Sequence, residues 1–136
     1  MSGPPGAAAV PDLWSGALGR RLALPEVTAA ADGSFVARAE PDADLLGQRE
    51  TVFGGWLACV VDHVAGVATA AHLGSAAGFL TADLRVRFVR PVDGKPVTFT
   101  AVPRGVGARL VDVGGRGEQF GVLCCQAELT QVISRG

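Results

Sequence analysis

The sequence predicts an α+β fold in which a curved antiparallel sheet wraps around one long central helix. Three observations carry that expectation. The stretch TVFGGWLACVVDHV, residues 51–64, opens with a glycine pair and then runs apolar on nearly every side, as a helix covered all round must. Residues 80–88 alternate Leu80, Ala82, Leu84, Val86 and Phe88 with Thr81, Asp83, Arg85 and Arg87, the period of a strand with one dry and one wet face. The strand candidates after it are joined by short links rich in turn residues, which force antiparallel neighbours. A flat sheet would cover only one face of such a helix, so the sheet must curl.

The elements follow in order. Residues 1–19 are expected to form a flexible tail with a short docking helix, and 20–136 a single domain. The opening MSGPPGAAAVP has neither a basic start nor a long apolar core, so it does not read as a secretory signal. Residues 12–24 suit a short helix that docks Leu13, Trp14, Ala17 and Leu18 and is stopped by Pro25. Residues 26–31 and 34–40 read as a strand pair turned at Asp32-Gly33. A polar loop, 41–50, leads to the main helix at 55–73, with Gly74 just past its end. Strands are then expected at 80–88, 96–103, 106–113 and 118–131, linked by PVDGKP, RG and GGRG.

Composition narrows the function classes. A chain of 136 residues is one domain's worth and buries roughly two-thirds of its unfolded surface, so it needs no disulfide or metal staple. A net charge of -1 argues against a nucleic-acid partner held through phosphates. Cys59, Cys124 and Cys125 are odd in number and lack metal-ligand spacing; adjacent strand residues point to opposite faces, so the last two cannot clasp one metal. A reduced cytoplasmic protein without metal or redox cofactor is expected. The apolar run 56–73 barely reaches membrane-spanning length and carries Asp62, His63 and His72, so it reads as a core helix and no membrane partner is expected.

Asp62 is the residue that asks for a function. Burying a lone carboxylate costs several kcal/mol unless it is paired or hydrogen-bonded. Its helix face holds the small residues Ala58, Cys59, Ala65 and Gly66, which leave room for a ligand or allow close helix packing. The plainer role is a carboxylate that pairs with an arginine at a subunit interface.

The element order and the glycine pair resemble the hotdog fold, and more narrowly the small acyl-CoA thioesterases of the phenylacetate-degradation and 4-hydroxybenzoyl-CoA type. The resemblance spans about residues 20–132. It rests on TVFGG against the family's T-x-H-G-G, on Asp62 within LACVVDHVAG, and on the strand ending FVRP, 88–91. It implies that Asp62 is the catalytic carboxylate and that the backbone N–H of Gly54 or Gly55 polarises the thioester carbonyl. Orphan amides at a helix start suit an oxygen that gains negative charge, and glycine permits close approach.

Distance adds a requirement. Eight residues of helix rise about 12 Å, so Gly54 and Asp62 of one chain are too far apart to share one thioester. Two antiparallel copies would bring one chain's Gly54 beside the other's Asp62. A homodimer is therefore expected, assembling further to a tetramer. The chain departs from the family at Phe53, where many relatives carry histidine, and at Gly47, where some carry asparagine. Phe53 would instead line a pocket for an aryl or medium-length acyl group, and Gln48, Arg49 or Glu50 would supply the missing polar contact.

Other candidates carry plainer alternatives. Cys59 and His63 have the spacing of a thiol–imidazole pair, against two ordinary core groups. Arg85, Arg87 and Arg90, with Lys95 and Arg104, would contact the phosphates of coenzyme A or simply form a solvated strand face. By the alternation, Thr81 shares that face with Asp83, and the resemblance places substrate contacts near it. No GxSxG elbow is present. The expected function is hydrolysis of an acyl-CoA to free acid and coenzyme A, with an acyl-carrier-protein thioester left open as substrate. The alternatives are a non-hydrolytic acyl-thioester-binding accessory or sensor protein, and a hydratase or dehydratase, which needs a histidine working beside an acid. Whether Asp62 attacks directly or activates water stays open.

Overall fold

The computed structural model describes residues 13, 16–74, 77–105 and 107–134. A short helix α1 (Ala17–Arg21) precedes strands β1 (Val27–Ala29) and β2 (Phe35–Ala39). A single 3-10 turn (Ala43–Leu45) leads to the long helix α2 (Gly54–Leu73). Strands β3 (Gly78–Phe88), β4 (Val97–Gly105), β5 (Leu110–Gln119) and β6 (Val122–Ser134) complete the chain. The six strands form one antiparallel sheet in the order β1-β2-β4-β5-β6-β3. This is the hotdog arrangement, with α2 packed in the curl of the sheet.

The all-round apolar sequence of α2 is explained by what surrounds it. Trp56, Leu57, Val60, Val61, Val64, Ala65, Val67 and Ala68 are buried, and Trp56 meets Phe99 of β4 edge-on at 6.4 Å. α2 is the one helix among the described residues long and apolar enough to cross a membrane, yet most of it is buried inside the protein. Gly74 closes it with φ 69°, its N–H donating to the Ala70 carbonyl. The N-terminal segment is tied to α2 by ring nitrogens: Trp56 Nε1 donates to the Leu22 carbonyl at 2.7 Å, and His63 Nε2 lies 2.8 Å from that of Pro25.

The short PVDGKP link does not join sheet neighbours as expected: β3 pairs with β6, while β4 lies between β2 and β5, so the chain crosses from the sheet edge back to its middle. Three further expectations need correction. The docking helix is shorter than 12–24, and Ala17 and Leu18 are exposed rather than docked, while Leu13 does reach α2, its Cδ1 3.8 Å from where a Cβ on Gly66 would stand; Trp14 lies outside the described residues. The two ring-nitrogen contacts hold this segment in place of an apolar helix face.

The GGRG stretch is not a turn. β5 runs through Gly114–Gly117 to Gln119, and the chain reverses at Phe120 and Gly121, which take φ 53° and 77°. These glycines serve close packing. A Cβ on Gly115 would meet Val61 at 3.5 Å, and one on Gly117 would stand 2.8 Å from Cys125 Sγ and 3.3 Å from Phe99.

The third correction bears on the site. The alternation of β3 is broken by a bulge between Thr81 and Asp83. From Leu84 onward the inward positions are Leu84, Val86 and Phe88, opposite the buried Leu129, Ala127 and Cys125 of β6. Before the bulge the phase reverses, so Thr81, opposite buried Gln131, faces α2 while Asp83 faces outward. Thr81 and Asp83 therefore do not share a face, because one extra residue moves every preceding side chain across the sheet.

Candidate active site

Asp62 sits mid-way along α2, half-buried, and its Oδ1 accepts a hydrogen bond from the Thr81 hydroxyl at 3.2 Å. The bulge in β3 creates this contact. No ion pair to Asp62 occurs among the described residues; the plainer role, pairing with an arginine at a subunit interface, concerns a second copy and is not tested by one chain. Asp62 is a carboxylate oriented by one neutral hydroxyl and otherwise open to a substrate or a water.

Cys59, one turn earlier, has its thiol pushed up from the usual range by burial first and by the Asp62 charge second. Cys125 is pushed up by burial to about 11. Raised thiols are poor nucleophiles. His63 Nε2 is engaged with the Pro25 carbonyl and its buried Nδ1 has no partner among the described residues, so the Cys59–His63 spacing yields no catalytic pair. His72 stands at the far end of α2 against Gly105, so neither histidine is set beside Asp62 in the manner of a hydratase.

The glycine pair forms the other half of the site. Phe53 is the N-cap of α2 and no side chain caps the helix; Trp56 N donates to the Phe53 carbonyl, while the Gly54 and Gly55 N–H groups have no acceptor among the described residues. These are the orphan amides of a helix start. Two phenyl rings flank them. A Cβ on Gly54 would lie 3.3 Å from the Phe88 ring, and one on Gly55 would overlap the Phe53 ring at 2.5 Å. An open pocket of about 320 Å³ lies here, lined by Thr51, Gly54, Leu57, Phe88, Arg90 and Val92 among others.

The predicted site residues thus separate into four places. Asp62 and Thr81 meet at one end of β3. Gly54, Gly55, Phe53 and Arg90 gather near its other end, with Phe88 as a member the sequence reading missed. Thr81 and Phe88 are seven positions apart along the strand, on the order of 20 Å. Arg85 and Arg87 lie opposite exposed Glu128 and Gln126 on the outer face of the sheet, away from both groups. Gln48 is exposed in a tight turn closed by the Gly47 N–H on the Thr51 carbonyl.

The second missed residue is Gln131. It is fully buried, and neither polar atom of its carboxamide has a hydrogen-bond partner among the described residues. An unpaired buried polar group costs about 1–3 kcal/mol. The sequence does hold a signal: along β6 the inward set is Cys125, Ala127, Leu129, Gln131, Ile133, one polar side chain on a dry face.

Curved sheet, enclosed helix and uncapped glycine start define this chain as a hotdog-fold protein of the thioesterase kind. The family model of the thioesterase superfamily matches residues 50–126, and the chain belongs to that superfamily. Among solved structures it is similar to a thioesterase of Haemophilus influenzae, at 20% identity and TM-score 0.82 over 90% of this chain and 86% of that one. It is similar to the PaaI protein of the E. coli phenylacetic acid degradation operon, at 17% identity and TM-score 0.78 over 90% and 87%. A Bacillus halodurans protein solved with coenzyme A matches at 19% identity and TM-score 0.80 over 92% and 83%. No curated protein sequence matches this chain.

Proposed function

We propose that this protein hydrolyses an acyl-CoA thioester in a pocket that two copies build together. Superfamily membership supports the reaction class, and the coenzyme A bound by one structural relative supports the carrier. The observation that carries the reading is the separation of the two functional groups. Asp62 with Thr81 lies at one end of β3, and the uncapped Gly54 and Gly55 amides lie near the other.

β3 is an edge strand of 11 residues that exposes Leu84 and Phe88 on its inner side. A long apolar edge is normally covered. Antiparallel pairing of β3 with the same strand of a second copy would bury it and set one copy's Thr81 end beside the other's Phe88 end. Each copy then lends what its partner lacks. A tetramer would follow from two such dimers.

In the composite pocket the thioester carbonyl oxygen sits on the Gly54 and Gly55 N–H groups of one copy, which stabilise it as negative charge develops. Asp62 of the other copy, oriented by Thr81, either attacks the carbonyl carbon or removes a proton from an attacking water. In the first case the C–S bond breaks to leave a mixed anhydride on Asp62, which water then hydrolyses to the free acid; in the second the water oxygen adds to the carbonyl carbon and the C–S bond breaks. In both the sulfur leaves as a thiolate and takes up the proton released by the water, giving coenzyme A. Phe53 and Phe88 form the apolar rim, which fits an aryl or medium-length acyl group. Arg90, on the same rim, is the contact for coenzyme A phosphates. Arg85 and Arg87 would reach only a coenzyme A that crosses the outer face of the sheet. The three free thiols fit a reducing compartment such as the cytoplasm.

A second reading has one observation in its favour: Phe53, not a hydrogen-bonding side chain, covers Gly55. A non-hydrolytic acyl-thioester-binding protein would suit that rim. Thiol release across benzoyl-, phenylacetyl- and hexanoyl-CoA, beside the Asp62→Asn variant, separates the two. Turnover that vanishes in the variant supports hydrolysis, and tight binding without thiol release supports the binding protein.

A further inference from the structure

We infer that Gln131 is a positioning residue, the outer member of a relay in which its side-chain amide donates to the Thr81 hydroxyl and Thr81 donates to Asp62. The inference rests on the reading of Asp62 as the site carboxylate and extends it to a residue on a different strand.

The geometry comes from the register. Gln131 of β6 is directly opposite Thr81 of β3, and both point to the inner face. Directly opposed residues hold their Cβ atoms about 4.5–5.5 Å apart, so the Gln131 carboxamide is within reach of the Thr81 oxygen. The chemistry then selects one direction. The Thr81 proton is committed to Asp62 Oδ1 at 3.2 Å, so the hydroxyl oxygen has only acceptor capacity left. Gln131 Nε2 is a donor without an acceptor, and the residue is fully buried. An unused donor stands opposite an unused acceptor, and catalytic hydrogen bonds that are open without substrate tighten when it binds.

The bulge between Thr81 and Asp83 gives independent support. In an unbroken strand continuing the phase of Leu84, Val86 and Phe88, residue 81 would face outward. The irregularity turns Thr81 inward between Gln131 and Asp62. A chain interested only in stability would place a leucine or methionine at 131, as it does at Leu129, and would be spared an unpaired amide.

Gln131→Met in the full-length protein keeps the volume and removes the donor. On phenylacetyl-CoA the expected result is kcat lower by about tenfold, or 1.4 kcal/mol, with KM changed by less than about twofold. The melting temperature should stay level or rise, since two unpaired polar atoms leave the interior. In a Thr81→Val background the same change should cost little further, because the relay is already cut.

A readout apart from activity is the Gln131 side-chain amide in a 15N NMR spectrum of the protein saturated with a non-hydrolysable thioether analogue of phenylacetyl-CoA, which closes the relay. The amide proton signal should move upfield in Thr81→Val, as for a lost acceptor, and hold in Thr81→Ser. Unchanged kcat in Gln131→Met, or full losses in both backgrounds, overturns the relay. So does an amide signal that responds equally to Val and Ser at position 81. Asp62→Asn keeps the two claims apart. If wild type shows no turnover while the amide signal follows the Thr81 hydroxyl, the hydrolase reading fails and the relay stands. If turnover depends on Asp62 but not on Gln131, the relay fails and the hydrolase reading stands.

Discussion

Gly54→Ala separates catalysis from stability at the helix start. The added methyl would stand 3.3 Å from Phe88 Cζ, with the other near ring atoms at 3.5 and 3.6 Å, so the ring must yield by a few tenths of an ångström. Phe88 is 52% exposed and has room to move in the isolated chain. Against that small cost, alanine is favoured over glycine within a helix by up to about 1 kcal/mol. The two nearly offset, and the melting temperature should shift by no more than a few degrees. Activity should respond differently. The methyl occupies the gap between ring and backbone through which the carbonyl must reach the Gly54 amide, and removing one oxyanion donor costs about 10²–10³ in kcat. Thiol-release kinetics and a thermal melt on one preparation test both halves. A variant that melts like wild type and keeps kcat/KM within about threefold refutes the placement of the carbonyl on this amide.

Gly117→Ala, by contrast, should destabilise, because its methyl would meet buried Cys125 Sγ at 2.8 Å and Phe99 at 3.3 Å. Overpacking of this kind costs about 1–3 kcal/mol, and a urea titration should show a double variant with Cys125→Ala regaining part of it. Leu84→Glu puts a charge on the inward apolar edge of β3, and size-exclusion chromatography should show the dimer lost to monomer with activity lost alongside.

Acid stability should track two aspartates. Asp32 is held below 3.8 chiefly by the Ser34 hydroxyl, and Asp93 chiefly by the Lys95 backbone N–H. A lowered folded-state value means stabilisation that is complete above the unfolded value near 3.8 and lost as pH falls through the folded one. The urea midpoint should therefore drop below about pH 4, and by less in an Asp32→Asn, Asp93→Asn double variant.

The fold was legible where burial imposes a period. The apolar circumference of α2 and the alternation of the strands set the class and the strand count, but not the sheet order, since β3 pairs with β6 rather than with β4 across the PVDGKP link. It was illegible where a residue type has two uses. Gly114–Gly117 looks like a turn, but glycine also serves where a helix side chain or a sulfur presses on a strand, and only Val61, Phe99 and Cys125 in place reveal that. The candidate site was legible at Asp62 and Gly54–Gly55 because a lone carboxylate and a glycine-led helix start are unusual in an apolar stretch. The Thr81 contact was hidden by the bulge, which leaves the local composition unchanged while reversing the phase of the strand. Phe88 comes beside Gly54 through packing and Gln131 comes opposite Thr81 through register, and both span too much sequence to be read from spacing.

Mixed dimers test the shared pocket most directly. Asp62→Asn and Gly54→Ala subunits carrying different tags are co-expressed and the heterodimer is purified through both. In a two-fold dimer one site of the heterodimer then combines an intact Asp62 with an intact Gly54, while the other site has neither. Each homodimer should be nearly inactive and the heterodimer should recover about half of wild-type turnover. A heterodimer as inactive as its parents would mean that Asp62 and Gly54 do not meet across the interface.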